Sequence, residues 1–558
     1  MKRFILISAV FALLTTSCGV KSVLRYPSYK WVRDNDRVPF SSTAIKGAST
    51  DFDNEVFNEM GRGVTLSHKV SDMSSLIMLG GRQEALDLND FDEVADSTWF
   101  TNRIGRYALT AEQLKKGPGE TAITKGPLEV LGLRLVAGLP RILVKDKDRR
   151  YFVIRFDPKG FPRIATGAEM ISGRILHAAG YFVPANSLTM IDPKMFHLAE
   201  GAWKLAKYGE RDPLSEKNLL SALESTASSK GKHYAIAVPL PQGRLIGPFS
   251  FSGKRGDDPN DRIPHQHRRE IRALYVFSDY LDFANTNPFN TFDVFMPVSD
   301  DKGYIVHRLF DLSESLGSDR VISISQGKIN PPGFSVGDAA SALFTFGTYD
   351  PYEGEGEDYN KELGITSVEN YEPGGWGSTV QNVAFAYMTR LDAFWAARIL
   401  ARFSDDDMRA IVSTAGYENK RLSDEMTRVL IERRDKSVKY WFSQMSPLDD
   451  FDLLCASNGC DISFKDLSVV EGFTDRESSH YKRSIVSFKG NYVLSDWVVF
   501  EDENFSISPE IIGKMFEDRV YRMKIQSRSS KQEWWYRSVD LFIKKKGEVF
   551  EILGVERK

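Results

Sequence analysis

Charged residues of this sequence lie on or directly after predicted strands and helices, and their order along the chain constrains the fold more than any single motif does. Residues 149–162, RRYFVIRFDPKGFP, alternate as a strand does, and Arg155 falls on one of its faces. The next stretch, residues 165–184, has the apolar stripe of a helix, and Thr166 and Glu169 have the spacing of a capping box in its first turn. The pattern predicts a strand that carries a cation, followed by a helix that carries a carboxylate.

A second series of elements, in the middle of the chain, ends at a single acid. A helix is predicted to begin at Pro264, and the two strands of a hairpin are predicted at Thr291–Met296 and Tyr304–Phe310, directly before Asp311. Between the helix and the hairpin lies a loop rich in carboxylate and amide groups. These are Asp282, Asn285, Asn287 and Asn290. The linear order is helix, polar loop, hairpin and acid.

Protein-kinase-like folds use parts in this order for phosphoryl transfer. They pair a strand cation with a helix carboxylate, and then use an Asp, an Asn five residues later and a further Asp to position the metal, the phosphates and the acceptor. This chain presents such parts in the order Arg155, Glu169, Asn285 with Asn290, and Asp311. A register shifted by three residues also has the five-residue spacing, and it pairs Asp282 with Asn287. Both registers remain open.

Several longer stretches resemble a family of exported bacterial proteins. Among them are DSTWFTNRIGRY, HRREIRALYVF, DLSESLGS and DAFWAARILARF, and the resemblance runs from about residue 85 to the C-terminus. The central part is similar to remote protein-kinase-like domains of the HipA and CotH type. The resemblance implies a two-lobed fold in which Arg155 and Glu169 contact the phosphates of ATP, and in which Asn290 and Asp311 hold magnesium. Asp282 or Asn285 would orient the acceptor.

The chain departs from the pattern of these relatives at three places. They have Lys on the strand, His-x-Asp in the loop and Asp-Phe-Gly after the hairpin. Here Arg155 keeps the charge, but its planar fork is not interchangeable with an ammonium group. The loop has Phe-Ala-Asn at 283–285, and since an amide accepts no proton, a loss of about 10²–10⁴ in rate is expected. The third motif is Asp-Leu-Ser at 311–313. These departures favour a degenerate, pseudokinase-type binding domain over a divergent Mg-ATP-dependent phosphotransferase.

Each of these polar residues also has a purely structural interpretation. Glu169 can cap its helix, the three asparagines can form Asx turns, and Asp311 can form such a turn with Ser313. A structural envelope protein without a ligand needs nothing more. The acidic stretch GDDPND at 256–261 is predicted to be a solvated turn, because it lacks the spacing of a calcium loop. His265 and His267 do not share a helix face, which argues against a zinc pair.

The N-terminus has the features of an export signal. Lys2 and Arg3 precede an apolar run from Phe4 to Leu14, and Cys18 follows small residues. This run is shorter than the roughly 20 residues that a membrane span needs. It resembles a bacterial lipoprotein signal, which predicts lipidation of Cys18 and a membrane anchor; a cleaved signal with an incidental cysteine is the alternative. Gly19 in place of Asp favours the outer membrane of the cell envelope.

Charge and the remaining cysteines agree with a compartment outside the cytoplasm. The net charge of −3 shows none of the basic excess that nucleic-acid binding usually requires. Cys455 and Cys460 flank an Asn-Gly turn in CASNGC and are predicted to form a disulfide. A metal site is disfavoured because two thiolates without a nearby histidine provide too few ligands. ATP is scarce in this compartment, which weighs further against catalysis.

The length of 558 residues predicts more than one packed unit. We expect an α+β chain: a two-lobed protein-kinase-like domain with a helical C-lobe, plus a small C-terminal α/β region. The predicted segments are a signal peptide at 1–18, a tether at 19–75, an N-lobe with flanking segments at 76–250, a helical C-lobe at 251–450, and a strand-rich region with the disulfide at 451–558.

Overall fold

A computed structural model describes most of the chain after residue 83. The described residues are 36–45, 84–206, 210–284, 286–325, 362–364, 368–369, 371–378, 382–456, 459–547 and 549–558. Cys18, the predicted signal peptide, most of the predicted tether and Asn285 lie outside these ranges. Among the helices within them, none is both long and apolar enough to cross a membrane.

The described residues up to 309 contain twelve strands. They are β1 (Phe40–Ser41), β2 (Leu128–Val136), β3 (Leu139–Lys145), β4 (Tyr151–Phe156), β5 (Ser187–Ile191), β6 (Phe196–Leu205), β7 (Arg211–Pro213), β8 (Ser228–Ser229), β9 (Lys232–Pro239), β10 (Arg244–Leu245), β11 (Thr291–Pro297) and β12 (Lys302–Leu309). The helices of the described residues up to 442 are α1 (Ala111–Lys116), α2 (Ile164–Ala179), α3 (Glu216–Leu223), α4 (Arg269–Tyr280), α5 (Ser318–Ser325), α6 (Val383–Ala386), α7 (Arg390–Ala401), α8 (Asp405–Val412) and α9 (Lys420–Phe442).

A large sheet in the order β5-β9-β4-β3-β2-β6-β7, with β8 on β9, forms the first layer. Its pairs are antiparallel except for β2 and β6, which run parallel. Phe152, Ile154 and Phe156 of β4 enter one apolar core, and Val153 enters another. The sequence pattern predicted this strand and its two faces, and both faces prove to be buried. Helix α2 is also buried almost throughout, so its charged side chains need partners inside the protein.

Helices dominate the part of the chain between residues 269 and 442. Helix α4 packs against α7 and α9, and α8 packs against α9 and α1. Their shared core includes Phe277, Trp395 and Leu430. A small sheet in the order β1-β12-β11-β10 contains the predicted hairpin. The described residues thus form a mixed α/β structure.

The start of α4 differs from the prediction. Pro264 precedes a short 3-10 turn at His265–His267, and the α-helix begins only at Arg269. Arg268 between them has an extended backbone, with φ −90° and ψ 130°. Because the His265 ring is held by the Asp261 carboxylate at 2.7 Å, this turn is anchored to the preceding loop rather than joined to the helix.

The C-terminal region consists of two antiparallel sheets. Its strands are β13 (Leu448–Ala456), β14 (Gly459–Asp466), β15 (Ser479–Ser487), β16 (Val493–Phe500), β17 (Asn504–Ile507), β18 (Val520–Ser529), β19 (Val539–Lys546) and β20 (Val549–Arg557). The sheet orders are β13-β14-β17 and β16-β15-β18-β19-β20. The helices described here are the short α10 (Leu467–Val470) and α11 (Pro509–Gly513), so the region contains more strand than the predicted α/β mixture.

The predicted disulfide is present in this region. Cys455 of β13 and Cys460 of β14 are directly opposite each other in the antiparallel pair, and their Cα atoms are 4.0 Å apart. Strands β19 and β20 form an antiparallel pair, and Gly547, directly after β19, has a positive φ of 62°, which is typical of a tight hairpin turn.

Candidate functional site

Helix α2 starts at Ile164, two residues before Thr166. Thr166 is therefore inside the helix, and the predicted capping box of Thr166 and Glu169 is wrong. The residue at its N-terminus is Arg163, whose φ is 66° and whose side chain makes no capping bond. The cap comes instead from Asp157, directly after β4. Its carboxylate accepts hydrogen bonds from the backbone N–H groups of Ala165 (2.9 Å) and Thr166 (2.8 Å) and from the Thr166 hydroxyl (2.7 Å). Glu169 therefore lies in the second turn and is released from capping.

Glu169 forms a buried ion pair with Arg155. The pair joins Arg155 Nη1 to Glu169 Oε1, and this oxygen also accepts a hydrogen bond from the Asn186 amide at 2.9 Å. Arg155 is 3% exposed and Glu169 is fully buried. The strand cation and the helix carboxylate, which are 14 positions apart in sequence, thus meet between β4 and α2.

Asp311 joins this pair from the end of β12. Its Oδ1 atom lies 3.3 Å from Arg155 Nη1 and accepts a hydrogen bond from the Ser313 hydroxyl at 2.7 Å. The Ser313 backbone N–H also donates to it at 3.2 Å, so the predicted Asx turn is formed. Both interpretations of Asp311 therefore hold together: it closes a local turn and it contacts the cation 156 positions earlier.

Arg141 is a member of the site that the sequence interpretation missed. It lies on β3 directly opposite Arg155 on β4. Its Nη1 atom is 2.5 Å from Asp311 Oδ2, and its Nη2 atom donates to the Ser313 hydroxyl at 3.2 Å. An arginine inside the apolar run LPRILV was the available signal, because such a charge requires a partner when the strand is buried.

The polar residues of the loop between α4 and β11 differ in whether they contact the segment that contains Asp311. Asn287 caps a short 3-10 turn at Pro288–Asn290 by accepting from the Phe289 backbone N–H at 2.8 Å. Asn290 accepts from the Asn287 backbone N–H at 3.1 Å and donates from its amide to the Asp311 carbonyl at 3.2 Å. Asp282, just after α4, is buried and has a φ of 46°. Asn290 rather than Asn287 therefore contacts the Asp311 segment, while Asn285 lies outside the described residues.

The charges of this cluster shift one another's pKa values. Burial raises the pKa of Asp311, but Arg141 and Arg155 outweigh burial and bring the pKa down to about 2. Burial lowers the pKa of Arg155, and the carboxylates of Asp311 and Glu169 more than reverse this effect. Burial raises the pKa of Glu169 despite Arg155, and its second oxygen has no hydrogen-bond partner among the described residues. Asp311 is thus the firmly ionised carboxylate of the site.

Little space remains beside these charges. The cavity bordered by Arg141, Arg155 and Glu169 measures about 20 Å³, enough for about one water molecule. The turn between β2 and β3 borders it, and this turn contains Ala137 and Gly138 with φ values of 46° and 76°. Such a two-residue hairpin turn is tight and lies against the sheet. The donor set and the space therefore do not fit a magnesium ion with a bound nucleotide.

The acidic stretch at 256–261 is not the solvated turn that was predicted from its lack of calcium-loop spacing. Asp258 and Asp261 are each 6% exposed. Asp261 accepts from the His265 ring, and burial raises the pKa of Asp258 to about 6. No group of three or more histidine, cysteine or acidic residues suited to a metal ion occurs in the described part of the chain. The stretch is therefore a buried polar support for the 3-10 turn before α4.

Comparisons with known proteins add little to this geometry. No family model matches the chain, and no curated protein matches it. A solved structure described as the crystal structure of the Golgi casein kinase with Mn/ADP bound is similar with a TM-score of 0.27 and 7% identity, over 70% of this chain and 86% of that chain. A likeness of this size carries no argument about function. The interpretation of the site rests on the contacts themselves.

Proposed function

We propose that this chain is a ligand- or partner-binding protein built on a degenerate, kinase-like domain in which Arg141 takes the place of the divalent cation. The contacts of Asp311 carry the proposal: Arg141 lies 2.5 Å from one carboxylate oxygen and Arg155 lies 3.3 Å from the other. In protein kinases the corresponding Asp after the hairpin holds magnesium. Here a covalently attached guanidinium already neutralises it.

Displacing Arg141 would be costly. Its side chain is about 10% exposed, so a metal ion that took its place would leave a buried guanidinium without its carboxylate. Breaking a buried ion pair in this way typically costs about 3–5 kcal/mol. A divalent ion that bound Asp311 without displacing Arg141 would lie beside the positive charges of Arg141 and Arg155. Both routes oppose magnesium-dependent nucleotide binding.

A divergent phosphotransferase remains the second candidate, and one observation favours it. The Arg155–Glu169 ion pair and the Asn290–Asp311 contact bring together the four residues that phosphoryl transfer would use for phosphate and metal. In that case Asp282 or Asn285 would orient the acceptor, and Arg141 would have to move away from Asp311. The two candidates differ in whether Mg-ATP binds to the unmodified chain.

Thermal unfolding of the full-length protein with Mg²⁺ and ATP separates these candidates. We expect no rise in Tm for the wild type, and a Mg-ATP-dependent rise for Arg141→Ala, because this change frees the Asp311 carboxylate. Lys145→Ala on the same strand is the matched control, since Lys145 pairs with the half-exposed Glu129 outside the site. A Mg-ATP-dependent rise in the wild type that Asp311→Asn abolishes would overturn the proposal in favour of the phosphotransferase.

We also propose that the protein is anchored in the cell envelope through a lipid on Cys18. The charged and apolar N-terminal stretch supports this location, and so does the Cys455–Cys460 disulfide, since disulfides persist in oxidising compartments. Metabolic labelling with a fatty acid should mark the wild type and not Cys18→Ser. An unlabelled wild type would reject the lipid anchor, and fractionation of the labelled protein would test the outer-membrane assignment.

A further inference from the structure

A second polar cavity lies far along the chain from Asp311, between the end of α9 and the C-terminal sheets. It measures about 210 Å³, roughly ten times the space beside Arg155. Its walls come from the last turn of α9, the segment after β14 and the end of β18 with the following loop. We refer to it as the α9–β18 cleft. Three separate elements thus form a cavity large enough for a small organic molecule.

Two lysines and one acid line this cleft. Lys439 and Lys531 are exposed, and neither forms an ion pair within the described residues. The carboxyl group among the lining residues belongs to Asp466, whose pKa burial raises to about 6 although the Tyr481 hydroxyl donates to it. Near neutral pH Asp466 is mostly ionised, but the two lysines outnumber it, so the cleft keeps a net positive charge that would attract an anion.

The Arg528 side chain lies on the other face of β18 and does not enter the cleft. Its guanidinium carbon lies 4.8 Å from the centre of the Trp535 ring, and the Lys482 ammonium lies 4.5 Å from the same ring. Neither Trp535 nor Lys482 borders the cleft, whereas Ser527 and Ser529, on either side of Arg528, both do. Because successive residues of a strand face opposite sides of the sheet, the cations that face the cleft are Lys439 and Lys531.

The remaining wall of the cleft is rich in hydroxyl groups. Ser443, Thr474, Ser479, Ser529 and Tyr536 all border it. A hydroxyl group both donates and accepts hydrogen bonds, which matches the hydroxyl groups of a polyol. Tyr536 is itself positioned by a 2.9 Å hydrogen bond to the Ser443 carbonyl across the cleft. The lining therefore combines positive charge with hydroxyl groups.

We propose that the α9–β18 cleft binds a small anionic saccharide, with Lys439 and Lys531 contacting its phosphate or carboxylate and the hydroxyl-bearing residues contacting its ring. The proposal is independent of the site around Asp311, because the two cavities share no lining residue. A bare inorganic anion would use the cations alone. A neutral sugar would use the hydroxyl groups alone.

Isothermal titration of the full-length protein tests the assignment with four probes: glucose 6-phosphate, glucuronate, glucose and inorganic phosphate. At least one of the two anionic sugars should bind tenfold or more tightly than both glucose and phosphate, and which one binds identifies the anionic group. Inorganic phosphate binding as tightly as the sugars would reject the saccharide. No binding of either anionic sugar would reject the site.

Variants link binding to this cleft. The Lys439→Gln/Lys531→Gln double variant, at two exposed positions, should weaken binding at least tenfold without a change in Tm. Lys514→Gln is the matched control, because Lys514 pairs with Glu510 and lies outside the cleft. Unchanged affinity in the double variant would contradict the proposal.

Discussion

The site around Asp311 and the α9–β18 cleft both contain cations, but in opposite settings. Arg155 is almost fully buried and faces two carboxylates, and its charge is compensated within the protein. Lys439 and Lys531 are exposed at a cavity ten times larger, and neither has a carboxylate partner among the described residues. The first arrangement is closed by its own ion pairs, whereas the second leaves hydrogen-bonding capacity for something outside the chain.

This difference shows that residue types associated with catalysis and the capacity to bind need not occur at the same place. Buried ion pairs are desolvated at a cost and recover it only through each other, so their partners are not available to a ligand. Cations at an open cavity keep their solvent and release it on binding. We therefore expect mutations of the site around Asp311 to change stability, and mutations of the cleft to change affinity.

The largest expected effect is the loss of the buried cation. Arg155→Met leaves Glu169 without its ion pair and Asp311 with one arginine, and should lower the free energy of unfolding by about 3–5 kcal/mol, as other broken buried pairs do. Urea unfolding of the full-length protein measures this change.

The matched control is Arg421→Met, which breaks an exposed ion pair with Glu362 and should cost less than about 1 kcal/mol. If the two variants lost the same stability, the site around Asp311 would not be a closed ionic unit, and the contrast with the cleft would disappear.

The next largest effect concerns the carboxyl group of the cleft. Burial raises the pKa of Asp466 from 3.8 to about 6. Between these pH values the folded protein holds a proton that the unfolded chain has lost, so the free energy of unfolding falls as the pH rises through this window. The fall attributable to Asp466 should be at most about 3 kcal/mol.

Asp466→Asn should remove this part of the pH dependence, which urea unfolding between pH 4 and 7 would measure as a flatter curve. The slope is the informative quantity, because the variant also changes the hydrogen bonds from Ser468 and Tyr481. An unchanged slope would mean that Asp466 ionises near its ordinary pKa in the folded protein, against the raised pKa that burial predicts.

Asp311 should show a smaller dependence with the opposite sign. Its pKa of about 2 lies below the ordinary value of 3.8, because Arg141 and Arg155 outweigh burial. The stabilisation is present above about pH 4 and is lost as the pH falls toward 2, by about 2 kcal/mol in all. Comparing the wild type with Asp311→Asn in acid unfolding tests this; a wild type that loses no more stability than the variant would contradict it.

Much of the fold was accessible from local patterns. The alternation of β4, the hairpin before Asp311 and the turn between Cys455 and Cys460 each depend on residues close in sequence. The predicted first residues of α2 and α4 were wrong because the side chains that fix each start lie outside the helix. Asp157, directly after β4, caps α2, and Asp261 holds the turn before α4.

The candidate site was accessible only in part for the same reason. The order of the predicted elements indicated that four residues meet, because each lies in or directly after one of them: Arg155, Glu169, Asn290 and Asp311. The place of Arg141 in the site could not be predicted in this way, because its partner Ser313 is 172 positions away and only the pairing of β3 with β4 brings Arg141 near. The cleft combines residues from 439 to 536 on separate elements, and no local pattern connects them.

The smallest expected effect completes the comparison between the two sites. Replacing both cleft lysines, in Lys439→Gln/Lys531→Gln, removes two positive charges that have no ion-pair partner among the described residues, so no ion pair is broken. The free energy of unfolding should change by less than about 0.5 kcal/mol, as for surface substitutions in general. Urea unfolding at low and high salt measures it. A loss above 1 kcal/mol at both salt concentrations would mean that these lysines are bound within the protein, and the cleft would then be as closed as the site around Arg155.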